Sequence, residues 1–306
     1  MPHVPVLLQE VIQMAAPRPG ERVLDCTFGG GGHTAGILRQ TNCYVLGIDR
    51  DPDANARAEI IKEQFKSRFD FEHMKFSEIG RLVEKHDKFD VVLFDLGLSS
   101  FQLDDADRGF SFMHCAKLDM RMSMEGESAY DIVNGISRKE LSTVIDYFGD
   151  DPKASRIARA IDEARVKKPI ETTWELADIV RSVYKLPPGQ RKNSRTDAAT
   201  KTFQAIRNLV NCELLELNRA LENVVHIINN NARIITITFQ GLEGRIIKCW
   251  AKSMKVCITP INKTVIRPSR QEIATNPRAR SAILRGFVYT DDARVRSVGE
   301  GIQRSE

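Results

Sequence analysis

The first hundred residues alternate short apolar runs with helical stretches. The apolar runs have strand length and are Val23–Cys26, Tyr44–Asp49, Phe69–Phe76 and Val91–Asp95. Between them, helices are predicted over His33–Arg39 and Asp51–Phe65. Alternation of strands and helices on this scale is typical of βαβ units, so the pattern predicts a parallel sheet.

The chain becomes almost entirely helical by pattern from Ser137 to Ile228. In Asp151–Val166 the apolar residues fall on one face at helical spacing. A further helix is predicted over Thr173–Tyr184, before the strong breaker Pro187-Pro188-Gly189.

Apolar residues three or four positions apart then run from Ile206 to Ile228 and predict one long helix that ends at Asn229–Asn231. The β-branched segment Arg233–Phe239 returns to strand character. The fold class is therefore α/β, a parallel sheet interrupted by a helical insert. The predicted organisation is a first part of the sheet domain, the insert, a second part of the sheet domain and a polar tail, over residues 1–107, 108–199, 200–290 and 291–306.

Composition excludes several classes of protein and leaves others open. The 306 residues are 42% hydrophobic and 28% charged, with a formal charge of +4, which is too mild to indicate nucleic acid by itself. The six cysteines form no CxxC pair, and no Cys or His cluster has zinc spacing, so no metal is expected. Without a secretory signal or a long apolar stretch we expect no membrane association and a cytoplasmic protein, with the mitochondrial matrix as the minor alternative.

A glycine run, Gly29–Gly32, lies between the first predicted strand and its helix. Such a loop lets the backbone approach a ligand and presents free helix N–H groups. The spacing is not GxGxxG, and no Walker lysine follows. A tight strand-to-helix turn without a ligand explains the run about equally well.

Two strand-end acids add to the case for a ligand. Asp49 ends the second strand, where a carboxylate can accept hydrogen bonds from a ribose diol, although it could also cap the next helix. Asp95 ends the fourth and opens the turn Asp95–Gln102. A carboxylate there could accept an N–H bond from a target amine, localise its lone pair and favour in-line attack on a methyl sulfonium.

These residues resemble a known family, the RsmH (MraW) family of small-subunit ribosomal RNA cytosine-N4 methyltransferases. The matching stretches cover nearly the whole chain in order: Val4–Glu10, Thr27–Thr34, Ile48–Pro52, Asp95–Ser100, Gln102–Phe112, Leu118–Met122, Ala154–Ile161, Thr202–Asn211 and Asn276–Arg285. The resemblance implies a Rossmann-like methyltransferase sheet with an inserted all-helical domain for substrate recognition. It also implies S-adenosyl-L-methionine as the methyl donor.

The resemblance further implies a substrate and a set of site residues. The substrate would be the N4 amine of a cytosine in the decoding region of 16S ribosomal RNA, presented as naked RNA or in the assembled small subunit. Whether the chain forms a homodimer and which group takes the amine proton stay open. The implied catalytic residue is Asp95, and the implied cofactor residues are Gly31, Gly32, His33, Asp49, Phe76, Asp95 and Gln102.

Arginines are the candidates for RNA binding, since a guanidinium suits phosphate. The region from Arg267 to Arg296 holds seven arginines, of which Arg278 and Arg280 are the best candidates. Further candidates are Arg108 and Arg121, near Asp95 in sequence, and the basic loop Arg191–Arg195. For any single arginine, a solvated surface position is the commoner explanation.

One segment departs from the family pattern. Phe239–Arg245 reads FQGLEGR where the family usually has FHSLEDR. This leaves a second hypothesis open, a non-catalytic RNA-binding or ribosome assembly factor that retains the fold. A third alternative, a nicotinamide-dependent dehydrogenase, is disfavoured because the glycine loop has the wrong spacing and the turn after Asp95 would be unexplained.

Overall fold

A computed structural model describes residues 5–188 and 197–291 of the chain. The predicted basic loop Arg191–Arg195 and nearly all of the predicted polar tail lie outside these residues. Within them the chain divides into two compact units, one made of the residues up to Gly97 together with those from Leu214 onward, the other of Leu98–Glu213. No helix of the described ranges is long and apolar enough to cross a membrane.

The first unit is built on a seven-stranded sheet. Its strands are β1 (Arg22–Asp25), β2 (Tyr44–Asp49), β3 (Phe69–His73), β4 (Phe89–Asp95), β5 (Ile228–Thr238), β6 (Ile258–Pro260) and β7 (Ile283–Tyr289), in the spatial order β3-β2-β1-β4-β5-β7-β6. The pairs among β1 to β5 are parallel, and β7 pairs antiparallel with both neighbours. The predicted α/β fold class, a Rossmann-like sheet, is confirmed.

Alternate residues of the central strands pack on opposite faces of the sheet. Val23 of β1 belongs to the core on one face, whereas Leu24 belongs to the core on the other. The helices of this unit are α1 (Leu8–Ala15), α2 (Gly32–Gln40), α3 (Ala54–Phe65), α10 (Glu213–Asn223), α11 (Gly241–Ser253) and α12 (Arg270–Thr275). Helices α1, α2 and α3 cover the face of Val23, and α10 and α11 cover the face of Leu24. Both sides of the parallel strands are therefore buried, which explains their continuous apolar runs.

The second unit is helical. It contains α4 (Ser100–Asp104), α5 (Ala129–Gly135), α6 (Arg138–Gly149), α7 (Ala154–Arg165), α8 (Thr173–Val183) and α9 (Thr200–Asn211). The helical spacing noted in the sequence produces a core of its own, in which Ile157, Ile161 and Ile206 are fully buried. The unit runs from residue 98 to residue 213, beyond the predicted insert of 108–199 at both ends, because α4 and α9 are part of it.

The prediction of one long helix from Ile206 to Ile228 is wrong. Helix α9 ends at Asn211, Cys212 has a left-handed backbone (φ 51°), and α10 begins at Glu213. The Asn211 side chain accepts a hydrogen bond from the Met122 backbone and donates one to the Met120 carbonyl, which holds the helix end inside the second unit. A single left-handed residue redirects the chain but keeps the apolar spacing, so the pattern did not reveal the break.

The asparagines at the predicted helix end belong instead to β5. Ile228 pairs with Phe89, and the register shifts between Phe89 and Val91. Asn231 adopts a left-handed backbone (φ 65°), which asparagine tolerates better than most residues. The asparagines therefore accommodate an irregular strand start.

Candidate active site

The strand order reverses between β1 and β4, and ligands of open α/β sheets bind at such a point, beyond the carboxyl ends of the strands. Asp25, Asp49 and Asp95 are the last residues of β1, β2 and β4. Asp25 pairs in register with Leu93, and Asp95 lies two residues further along β4. The carboxylates that end β1 and β4 therefore meet at one edge of the sheet, which is where the sequence placed Asp95.

The glycine loop between β1 and α2 is held in a fixed shape by its neighbours. Gly31 precedes α2 with a left-handed backbone (φ 71°), and a Cβ there would come within 2.7 Å of the Phe28 ring. A Cβ on Gly32 would come within 2.3 Å of the Pro5 ring. Close packing thus requires both glycines, and the N-terminus of α2, which follows them, is a position where backbone N–H groups can bind an anion or a carboxylate.

Asp49 connects the second strand to this loop. Its carboxylate accepts hydrogen bonds from the backbone N–H of Gly29 at 2.7 Å and from that of Asp51 at 2.9 Å. Burial raises the pKa of the carboxyl, and the two backbone donors oppose the rise. A carboxylate has about four lone-pair positions, so Asp49 can still accept bonds from a ribose diol while it holds the loop.

Arg57 of α3 supports the loop from the other side, a role not predicted from the sequence. Its Nε donates to the Gly29 carbonyl at 2.8 Å, and its Nη2 lies 3.4 Å from the buried carboxylate of Asp51. Gly29 is therefore held through its N–H by Asp49 and through its carbonyl by Arg57. Neither bond leaves a local sequence signal, because the partners come from different elements.

Thr27 and Thr34 also connect parts of the site. The Thr27 hydroxyl accepts a hydrogen bond from the backbone N–H of Asp95 at 2.7 Å, and the Thr34 hydroxyl donates to Asp25 at 2.7 Å. Burial raises the pKa of Asp25 to about 6, although the hydrogen bonds that it accepts from the Thr34 hydroxyl and the Thr27 backbone N–H oppose the rise. The two threonines and Asp25 were not predicted as site residues; they join the glycine loop to β1 and β4.

Asp95 lies at the centre of the arrangement. Its Oδ1 is buried and accepts no hydrogen bond from any residue within 5–188 and 197–291. Burial raises the pKa of Asp95 well above its usual range, and the Asp25 and Glu243 carboxyls raise it further. Its Oδ2 lies 3.6 Å from Nδ1 of His33, a buried residue of α2. A buried oxygen without a donor is costly, which is consistent with a site that receives an N–H group from a ligand.

Phe76 and Gln102 occupy different surroundings. Phe76 is half-buried, and its ring packs edge-on against Phe94 at 6.1 Å. The neighbouring backbone N–H of Met74 donates to the Asp49 carbonyl, which brings this segment to the end of β2. Gln102 belongs to the second unit, where its side chain accepts from the Ser99 N–H in the capping box of α4. The adenine contact of Phe76 and the cofactor contact of Gln102 stay predictions.

The predicted RNA-binding arginines fall into two groups. Arg278 and Arg280 are exposed on the short helix Pro277–Ser281. Arg108 is buried and donates to the Arg121 and Met122 carbonyls. Arg121 forms a bidentate pair with Asp119, which lowers the pKa of that carboxyl. The structure favours a structural role for Arg108 and Arg121, and their RNA contacts stay predictions.

The segment that departs from the family pattern forms a regular helix start. The Glu243 carboxylate accepts hydrogen bonds from the backbone N–H groups of Phe239 and Gln240, at 2.8 and 3.0 Å, and caps α11. Glu243 is buried and is one of the acids that act on Asp95. The substitutions in this segment therefore leave the helix and its buried acid in place.

The chain has an open, mostly parallel sheet, with a glycine loop after β1 and acids at the ends of β2 and β4. These features define the site of a Rossmann-like methyltransferase. The chain belongs to the MraW methylase family, whose sequence model matches residues 1–289. S-adenosyl-L-methionine is its methyl donor. The dehydrogenase alternative is thereby excluded.

Curated relatives match over nearly their whole length. The chain is 44% identical over 303 residues to ribosomal RNA small subunit methyltransferase H of Rickettsia canadensis (strain McKiel), which covers 92% of this chain and 96% of the relative. It is 43% identical to the protein of that name from Rickettsia bellii (strain RML369-C), covering 93% and 97%. Among solved structures, N-methyltransferase NodS from Bradyrhizobium japonicum WM9 is 7% identical, with a TM-score of 0.44 and coverage of 93% and 94%.

Proposed function

We propose that the protein transfers a methyl group from S-adenosyl-L-methionine to the N4 exocyclic amine of a cytosine in the decoding region of small-subunit ribosomal RNA. Relatives named ribosomal RNA small subunit methyltransferase H, which match over 92% of this chain, support the choice of RNA. The observation that carries the chemistry is the buried Oδ1 of Asp95, which accepts no hydrogen bond from the described residues.

An exocyclic amine is a poor nucleophile because its lone pair is conjugated with the ring. Asp95 Oδ1 would accept one amine N–H, localise that lone pair and hold the nitrogen in line for transfer. S-adenosyl-L-methionine supplies a methyl group activated by a sulfonium. The Thr27 hydroxyl fixes the Asp95 backbone, so the carboxylate is placed before the substrate arrives.

The residues present fit the methyl donor. The backbone of Gly31, Gly32 and His33 would hold its amino acid part, because these residues form the N-terminus of α2 and packing against Phe28 and Pro5 fixes the two glycines in place. Asp49 would accept the ribose hydroxyls. Phe76 and Gln102 complete the proposed set, Phe76 beside the adenine.

Arg278 and Arg280 are proposed to contact RNA phosphates, because both are exposed and lie close together on one short helix. Arg108 and Arg121, whose RNA contacts stay predictions, would also keep the loop around Asp119 in shape.

The test is methyl incorporation into small-subunit RNA from a strain that lacks the protein, offered as naked RNA and as purified subunits. We expect incorporation at a cytosine N4 position, identified by mass spectrometry of nucleosides, and its loss in Asp95→Ala. The matched control is Asp87→Ala, an exposed acid just before the opposite end of the same strand. Activity of Asp95→Ala near the wild-type value would remove Asp95 from the chemistry, and no incorporation by the wild type would favour an assembly factor.

A further inference from the structure

The imidazole of His33 lies between two groups that accept protons. Its Nε2 is 3.0 Å from the Val6 carbonyl, and its Nδ1 is 3.6 Å from Asp95 Oδ2. A carbonyl can only accept, so Nε2 carries a hydrogen. Nδ1 then faces the Asp95 carboxyl in one of two forms. It presents a lone pair if the imidazole is neutral, or an N–H if the imidazole is a cation.

These two atoms cannot both present lone pairs at low cost. A neutral imidazole with hydrogen on Nε2, beside an ionised Asp95, would place two electron-rich atoms 3.6 Å apart, where the His33 side chain is buried and the Asp95 side chain is 24% exposed. One proton held by the pair removes this repulsion, either on His33 or on Asp95. Protonation of either group therefore changes the electrostatic environment of the other.

The position of that proton decides whether Asp95 can accept a hydrogen bond from the substrate amine as a carboxylate. Burial favours the protonated acid, and Asp25 and Glu243 face it from β1 and α11, raising its pKa further. Among the described residues in contact with Asp95, His33 is the group that can become a cation beside it. A protonated Asp95 would be a weaker acceptor for an amine N–H than a carboxylate is.

We infer that His33 holds on Nδ1 the proton that Asp95 would otherwise keep, so that Asp95 meets the substrate amine as a carboxylate. His33 is thus a positioning residue that acts through Asp95, in addition to the cofactor contact proposed for its backbone. The link to catalysis rests on the proposed function, whereas the shared proton is a property of the free protein.

The catalytic test is the pH profile of kcat for two variants. His33→Asn and His33→Gln keep polar side chains but cannot hold the charge, so Asp95 should stay protonated to higher pH. We expect the acidic limb of the profile to move up by about one pH unit or more in both variants, with activity recovering at alkaline pH. A uniform fall in kcat without a shift of the limb would reduce His33 to a packing role and overturn the inference.

The second measurement needs no RNA. Nitrogen-15 NMR of the imidazoles follows the protonation of His33 in the free protein, with the signal assigned by its loss in His33→Asn. We expect both His33 nitrogens to be protonated at neutral pH, and Asp95→Asn to lower the pH at which Nδ1 loses its proton. Titration of His33 unchanged by Asp95→Asn would overturn the shared proton. A shared proton in a protein that methylates no RNA would instead overturn the proposed function alone.

Discussion

The Thr34 hydroxyl donates a hydrogen bond of 2.7 Å to the buried carboxyl of Asp25. This bond joins the first turn of α2 to the end of β1, so the helix that carries His33 and the strand beside Asp95 are fixed to each other. Asp25 is 1% exposed and also accepts from the Thr27 N–H. Asp25 therefore has hydrogen-bond donors for both carboxyl oxygens and fixes the elements around the site.

Asp25 should make stability depend on pH. Its pKa rises from 3.8 to about 6 on folding, so the folded state binds more protons than the unfolded state between these values, and stability falls as pH rises through this window. The rise corresponds to about 3 kcal/mol that is fully lost above about pH 6. Asp25→Asn should remove this fall, measured by urea unfolding at several pH values.

The control for this prediction is Asp87→Asn, which replaces an exposed acid and should leave the pH dependence unchanged. An Asp25→Asn protein whose stability falls as steeply as the wild type between about pH 4 and 6 would assign the dependence to another carboxyl with a raised pKa, such as that of Asp49 or Asp95.

Gly32→Ala should disturb the glycine loop. Its Cβ would lie 2.3 Å from Pro5 Cγ, so the segment before α1 must move. We expect a destabilisation of about 1–3 kcal/mol by thermal or urea unfolding, with weaker binding of S-adenosylhomocysteine by calorimetry. The control is Gly241→Ala, at the start of α11, where a Cβ would meet nothing within 4 Å. This variant should change neither the stability nor the binding of S-adenosylhomocysteine. Equal stability and equal S-adenosylhomocysteine binding in the two variants would contradict the tight packing at Gly32.

Arg57→Ala should weaken cofactor binding without removing any proposed cofactor contact. The variant loses the bond to the Gly29 carbonyl and frees the loop from α3. A hydrogen bond of a charged donor contributes about 1.5–3 kcal/mol, so the Kd for S-adenosylhomocysteine should rise about tenfold or more. Arg81→Ala, which breaks an exposed pair with Glu78, is the matched arginine control. An unchanged Kd for Arg57→Ala would show that the loop holds its shape without α3.

Arg278→Ala/Arg280→Ala should reduce the salt dependence of RNA binding. Each phosphate contact on single-stranded RNA contributes about 0.7 to the slope of log K against log salt, so the slope should fall by about 1.4. The control, Arg81→Ala/Arg159→Ala, removes two exposed arginines from surface ion pairs and should lower the slope less. An equal decrease of the slope in both double variants would indicate a general charge effect. An unchanged slope for Arg278→Ala/Arg280→Ala would show that the RNA binds elsewhere on the protein.

Local patterns predicted the strand-end acids well, because an apolar run that stops at a polar residue marks both the strand and its end. Asp49 and Asp95 end β2 and β4 as the sequence indicated. The support around them was not predictable in this way. Arg57 reaches Gly29 from the next helix, and Thr27 reaches Asp95 across the sheet, so neither bond leaves a periodic signal.

The same distinction explains the errors in the helical region. Spacing of three or four residues continues through Cys212, although the backbone there is left-handed and α9 ends. The bond of the Asn211 side chain with Met120, far back in the chain, holds that end in place. Local periodicity reports which face is apolar, whereas the direction of the chain depends on contacts that are distant in sequence.

The helical unit interrupts the sheet between β4 and β5, and this has a consequence for synthesis on the ribosome. The strands up to β4 emerge first, yet β4 obtains its second neighbour only after residues 98–213 have been made. The helical unit has its own core and local contacts, so it can fold while the sheet still has an exposed edge. During translation, the unfinished sheet is therefore the part of the nascent chain most in need of protection from aggregation.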